Sequence, residues 1–351
     1  MILYSITFFV TTTLVIFKEK YAQITGMFIA FLFVAIVVGL RGRSVGVDTE
    51  SYYHWFHLIN HDPTSNIVEK CEPLYKLLNQ SVFASGGGPE IVVFICALIT
   101  LCLIAYVAYR YSPSILLSLA GWYVFGTFFS MHNAVRQCVA SAIIFYSIRF
   151  IIQRRLVKFL ITIAIAAGFH YSALIFLPMY FLYKTNCKRV ILTVSWLISL
   201  ICVFMPNFLI QLLQDNRYLI PQQYVWLIFS TQVTEFELKG GPKLMFLQFI
   251  CLSLLYVYGR IKENTYRFII FLTIIGLILN NMFIHYGVMV RLSQYFTIFI
   301  TLSLPIAIQD VFKRYNRVLV SFIMYLCCMI LYLRMVSVNT NAIFPYYTIF
   351  N

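Results

Sequence analysis

The fold class the sequence predicts is an all-α integral membrane protein, and three observations predict it. Of the 351 residues, 61% are hydrophobic and only 11% are charged. The apolar residues gather in repeated runs, mostly of about 16 to 22 residues, enough for a helix to cross the hydrocarbon core of a bilayer. Short basic stretches separate the runs, the pattern that orients helices in a membrane.

About twelve runs are present, at 2–17, 24–40, 91–109, 114–131, 134–152, 156–169, 172–183, 190–210, 244–259, 267–286, 289–309 and 318–334. The first lacks a basic leader and a small-residue cleavage site, so it is read as a retained span rather than a signal peptide. Runs 156–169 and 172–183 are short. They form either a hairpin of half-helices turning at "AAGFHYSA" or one long broken helix. The chain is expected to be a single polytopic domain over 1–351, without internal repeats, interrupted by two long loops at 41–90 and 211–243. In the first loop "TESYYHWFHLI" places Tyr52, Trp55 or Phe56, and Ile59 on one face of a short helix that Asp48 or Thr49 can cap. That helix is expected to lie at the membrane interface.

Orientation follows from charge. With the N-terminus outside, the short inner loops collect Lys18, Lys20, Arg110, Arg154, Arg155, Lys158, Lys184, Lys188, Arg189, Arg260, Lys262, Arg267, Lys313, Arg314 and Arg317, out of 26 Lys and Arg residues in all. Short basic loops face the cytoplasm, so both termini and both long loops are expected on the outer side. The net charge of +14 is therefore a membrane signature and gives no reason to expect a nucleic-acid partner. Most of the nine cysteines lie inside apolar runs, and no CxxC or His/Cys pair has metal-ligand spacing. His54, His57 and His61 are spaced too irregularly for a metal site.

Ionisable groups at membrane depth are costly, so each one points to function. Arg41 and Arg43 leave the second run in "GLRGRSVGVDTESYYHWF". His132 and Arg136, in "MHNAVRQ", are four apart and are expected on one helix face. His170 lies at the tip of "GFHYS". Arg291 is expected to share a face with Tyr295, with His285 a turn and a half earlier. In the predicted topology all four groups reach the outer edge of the membrane. Arginines grip phosphate oxygens bidentately and keep their charge when partly buried, and a histidine can take a proton near neutral pH. The set suits a lipid diphosphate whose headgroup sits in the outer leaflet. Snorkelling at a helix end is the competing account of Arg41 and Arg43.

The same residues carry a resemblance. "RGRSVGVDTESYYHWF", "NAVRQCVASAIIFYSIRFI", "AIAAGFHYSALIFLPMYFL", "RLSQYF" and "NAIFPYY" resemble, in order and spacing, the segments of the EpsG-type family of bacterial polysaccharide polymerases. Val47 departs from the small residue or threonine that the family often has before the Asp. The resemblance implies a Wzy-type polymerase of GT-C-like architecture in the bacterial inner membrane. It would join O-antigen or capsule repeat units carried on undecaprenyl diphosphate at the periplasmic face. The implied chemistry is inverting glycosyl transfer without metal or cofactor, and a chain-length regulator protein is a further implied partner. The sequence has no Walker loop, no Rossmann glycine pattern and no DxD.

On this reading Arg136 and Arg291 grip the diphosphate, with Arg41 and Arg43 in support. His170 is the favoured base, with arginines near enough to keep it unprotonated, and His132 and Asp48 are the alternatives. Thr49, Tyr52, Gln137 and Tyr295 order the loop or bind sugar. A flippase for the same lipid-linked oligosaccharide, an O-antigen ligase and a membrane sugar O-acetyltransferase are the rival functions.

Overall fold

A computed structural model describes residues 1–16, 19–185, 187–205, 211, 215, 241–286, 289–312 and 314–349. The expected second long loop, 211–243, lies almost wholly outside the described residues. The described chain is helical throughout, apart from one isolated antiparallel bridge between Arg41 and Thr348.

In order, the helices are α1 (Ile2–Leu14), α2 (Lys20–Gly39), α3 (Thr49–His61), α4 (Asn66–Glu69), α5 (Pro73–Ala84), α6 (Pro89–Tyr111) and α7 (Ile115–Phe125). A 3-10 turn, Phe129–His132, leads into α8 (Val135–Ile152) and α9 (Leu156–Phe169). A second, Tyr171–Phe176, leads into α10 (Met179–Leu182) and α11 (Arg189–Phe204). Then come α12 (Gly241–Tyr258), α13 (Asn264–Phe283), a 3-10 turn at Met289–Ser293, α14 (Gln294–Thr297), α15 (Ile300–Val311) and α16 (Arg314–Ser337), with a last 3-10 turn at Thr340–Ala342.

Each of the twelve apolar runs contains apolar helix. Among the described residues, however, only six helices are long and apolar enough to cross a bilayer, or seven if Met289–Thr297 and Ile300–Val311 count as one bent span. The other five have 10–17 residues. At 1.5 Å per residue such helices fall short of the ~30 Å hydrocarbon core. Local breakers account for the shortening. The run 114–131 stops helically at Phe125 before Gly126, and 172–183 is mostly 3-10. Large apolar side chains point outward, including Phe28, Val157, Val190 and Phe322, each more than half exposed. Water would not tolerate that surface and lipid would. The protein is a multi-pass membrane protein.

The chain divides into two compact units, residues 1–183 with 300–351, and 184–299. In the first, α1 packs through Phe8 onto Tyr332 (ring centroids 5.0 Å apart) and Tyr123 (5.2 Å). Thr7, Thr11 and Thr12 bond the hydroxyls of Tyr332, Tyr123 and Tyr325. Such hydroxyl pairs hold helices together where lipid supplies no hydrophobic drive. The segment 156–183 is the hairpin of the two alternatives: the Phe159 and Tyr180 rings meet at 5.2 Å, and Arg154 donates to the Tyr180 carbonyl at 3.0 Å. In the second unit a partly buried chain of side chains links three helices. Trp196 Nε1 donates to Gln248 Oε1 at 2.9 Å, Gln248 Nε2 to Asn281 Oδ1 at 2.7 Å, and Asn281 Nδ2 to Ser199 Oγ at 3.0 Å.

The expected first loop is largely folded. Helix α3 buries Thr49, Tyr52, Tyr53, Phe56 and Ile59 along one face, as the spacing predicts, and leaves Trp55 half-buried. Helix α5 follows with Glu72 at its N-cap position and Pro73 just inside, a favoured start because proline lacks the N–H that the first turn leaves unpaired.

Candidate active site

Arg41 is the largest charged side chain in the first unit that water barely reaches, at 1% exposure. Its Nε donates to Thr49 Oγ1 at 3.1 Å and Val45 O at 3.3 Å, its NH2 to His132 O at 3.0 Å, and its NH1 to Val38 O. Every acceptor is neutral. The knot is closed by the C-terminal segment, where Gly42 N donates to Tyr347 O at 2.8 Å and Ile349 N to Leu40 O at 3.2 Å. Gly46 explains part of the "VGVDT" stretch. Its φ is +89°, and a Cβ there would stand 2.4 Å from His132 O, so only glycine fits.

His132 is fully buried and its Nε2 pairs with the Tyr4 hydroxyl at 2.9 Å. Burial first, and then the Arg41 charge, pull the imidazole down to about 3, so it stays neutral. The expected shared helix face of His132 and Arg136 is not formed. His132 ends a 3-10 turn, the chain breaks at Asn133 and Ala134, and α8 starts only at Val135. The two side chains consequently serve different surroundings.

Tyr52 joins those surroundings. Its hydroxyl donates to Asn133 O at 2.8 Å and accepts from Val135 N at 3.0 Å, and its ring meets Tyr75 at 6.4 Å. Beside Tyr75 stands a compact charged cluster. The Glu72 carboxylate, 6% exposed, takes Arg136 NH1 on Oε2 at 2.5 Å and His170 Nδ1 on Oε1 at 2.7 Å. The Arg136 guanidinium lies 4.6 Å from the Trp55 ring and 5.3 Å from Tyr75, within cation–π range. Burial would raise the Glu72 carboxyl, but the His170 hydrogen bond and the Arg136 charge outweigh it and hold it below the usual carboxylate range. Glu72 is therefore an anion shared by two partners.

Packing sets this geometry. Residue 170 sits at the end of α9, and α9 meets α5 at Gly168, where a Cβ would lie 2.6 Å from Leu74 Cγ. The close approach brings the first residues of α5, and Glu72 just before them, up to the imidazole. His170 and Arg136 remain reachable, with side chains 31% and 21% exposed, while Glu72 stands behind both. Donation from Nδ1 to the carboxylate would fix the tautomer and leave Nε2 as the acceptor nitrogen, a role that Nε2 can fill because it has no hydrogen-bond partner among the described residues.

Of the sequence-predicted residues, the structure brings together Arg136 and His170, through a carboxylate the sequence reading missed. The charged group against His170 is that carboxylate rather than an arginine. Thr49 and Tyr52 spend their hydroxyls inside the protein, and Gln137 is buried on α8 beside Arg136. Asp48 is half-buried at the N-cap position of α3, without a side-chain bond to the helix start. Arg43 is exposed over Tyr53 at 4.6 Å. Arg291 and Tyr295 belong to the second unit: Arg291 is half-buried on the 3-10 turn Met289–Ser293 and Tyr295 is buried on α14, so their expected shared face falls across a change of helix type. His285, also buried there, pairs through Nε2 with Val203 O at 3.0 Å. Among the described residues no three His, Cys, Asp or Glu side chains gather as metal ligands.

The model of the EpsG family matches residues 24–348 of the chain. No curated protein and no solved structure matches it.

Proposed function

Because the chain belongs to the EpsG family of Wzy-type polysaccharide polymerase-like proteins, we propose that it joins oligosaccharide repeat units carried on undecaprenyl diphosphate, at the periplasmic face of the bacterial inner membrane. In this reading about twelve spans, the five shorter helices included, form a GT-C-like frame. The first long loop and both termini face the periplasm. One lipid-linked repeat is the donor and the other the acceptor.

The observation that carries the reading is the Glu72 carboxylate held between Arg136 and His170 at 2.5 and 2.7 Å. Inverting transfer from a lipid diphosphate needs a base for the acceptor hydroxyl and a cation for the leaving group. His170 Nε2 takes the hydroxyl proton as the acceptor oxygen bonds to the anomeric carbon. The bond from that carbon to the diphosphate oxygen breaks, and its electron pair leaves with the lipid diphosphate. Arg136 receives the developing charge on its accessible edge. Glu72 orients the imidazole, and Arg43 is a further candidate for phosphate contact.

The test begins with deletion of the gene and electrophoresis of the glycan. Single repeats capped on lipid are the expected product, whereas loss of surface repeats would favour a flippase and full ladders lacking acetyl groups an acetyltransferase. Complementation with His170→Gln should then restore protein in the membrane without restoring polymer, because an amide bonds but does not accept and hold the proton. Near-normal ladders from that variant would remove His170 from the chemistry.

A further inference from the structure

A base and a phosphate-binding arginine do not need to touch the same carboxylate. Here they do, and the sharing has a consequence. While His170 is neutral, the Glu72 charge is spent largely on Arg136, with which it forms the 2.5 Å ion pair. That masks the guanidinium from an incoming anion. Once His170 accepts a proton, the carboxylate has two cations to serve through its two oxygens. Its hold on Arg136 weakens, and more of the arginine's positive charge faces outward.

We propose that Glu72 is a positioning residue that couples the two halves of the transfer: protonation of His170 draws carboxylate charge to the imidazolium and unmasks Arg136 for the departing diphosphate. This rests on the polymerase reading above. No additional reactant is needed, since the proton comes from the acceptor hydroxyl and the electron pair goes to the diphosphate. The coupling strengthens the grip on the diphosphate as its charge develops, and an interaction stronger in the transition state than in the ground state is the kind that raises kcat. Three details fit it. Glu72 is almost enclosed, so substrate meets its partners rather than the carboxylate. The two partners use different oxygens. The Trp55 and Tyr75 rings can hold the guanidinium in place while its anionic partner loosens.

The coupling makes an uncommon forecast for Glu72→Gln: tighter binding with slower chemistry. With the mask gone, undecaprenyl diphosphate should bind the purified protein several-fold more tightly, roughly 3- to 10-fold. KM for lipid-linked repeats extracted from the deletion strain should fall with it. kcat for chain growth should fall by about 100-fold, because the imidazolium loses its counter-charge. Arg136→Gln should lose diphosphate binding. A Glu72→Gln protein that binds undecaprenyl diphosphate no more tightly than wild type overturns the proposal. Should Glu72→Gln fail to accumulate, Glu72→Asp serves: it keeps the charge but shortens the arm that spans both partners. Its KM should stay near wild type while kcat falls, and an unchanged kcat would overturn the proposal equally. If Arg136→Gln binds undecaprenyl diphosphate as wild type does, the polymerase reading of the site fails instead, and the coupling falls with it.

Discussion

Arg41 and Arg136 stand in the same unit, linked through Tyr52, yet they are solved in opposite ways. Arg41 is enclosed, at 1% exposure, and satisfied by three backbone carbonyls and a threonine hydroxyl. Arg136 keeps about a fifth of its side chain open and faces a carboxylate and two aromatic rings. A cation buried to 1% exposure, with each of its nitrogens bonded to a neutral acceptor inside the protein, offers a ligand no open edge, however favourable its charge. One paired on a single nitrogen, with its outer edge in solvent, does. Arg41 therefore ties residues 38–49, 132 and the C-terminal segment together, and of the two arginines only Arg136 stays open to an anion, as the proposed function requires.

Substitution should separate the two arginines cleanly, and the larger effect falls on Arg41. Arg41→Ala strips the donors from buried acceptors and opens a cavity at the crossing of four segments. A loss of about 3 kcal/mol or more follows, which is a large share of any domain's stability. The variant should be depleted from the membrane and melt early in detergent. Arg136→Lys should do neither. It keeps the charge but loses the planar fork, so protein level stays normal while chain growth falls by roughly 100-fold. An Arg41→Ala protein that is stable but inactive would reverse the assignment of the two.

The difference also marks what was legible beforehand. A charge inside an apolar run is costly and therefore visible, so Arg41, Arg136 and His170 stood out from sequence. What surrounds each of them did not. Glu72 lies in a loop region of "KCEPLYK", where a carboxylate costs nothing in water and raises no flag. Its one local signal is the proline that follows, which marks a helix start without saying what that start packs against. The four-residue spacing of His132 and Arg136 misled for a related reason. The periodicity argument assumes an unbroken helix, and the chain unwinds between them at Asn133 and Ala134. The α3 face, by contrast, was readable because its spacing reports burial of the helix itself: Tyr52, Phe56 and Ile59 are all buried.

The smallest expected effect on stability tests whether the Arg136 region, unlike the Arg41 knot, depends on packing far from any charge. Gly168→Ala adds one methyl where a Cβ would sit 2.6 Å from Leu74 Cγ and 2.7 Å from one of its δ carbons. Those atoms belong to a flexible side chain, so Leu74 can rotate away or α5 can shift by a few tenths of an ångström. The cost to the fold should be about 1 kcal/mol, and the protein should melt within a few degrees of wild type. Chemistry is less forgiving. A shift of α5 carries Glu72 with it, away from the 2.7 Å bond that orients His170, while Arg136 on α8 stays in place. Misplacing a reacting group by well under an ångström already costs rate, so chain growth should fall about tenfold, with undecaprenyl diphosphate bound as tightly as by wild type or slightly more so as the Glu72–Arg136 pair lengthens. At Arg41 the same logic predicts nothing, because the hydrogen bonds that hold the knot among the described residues involve neither Gly168 nor Leu74. A Gly168→Ala protein with full activity would mean that Leu74 absorbs the methyl alone, and that the junction of α5 and α9 has more room than its present spacing suggests.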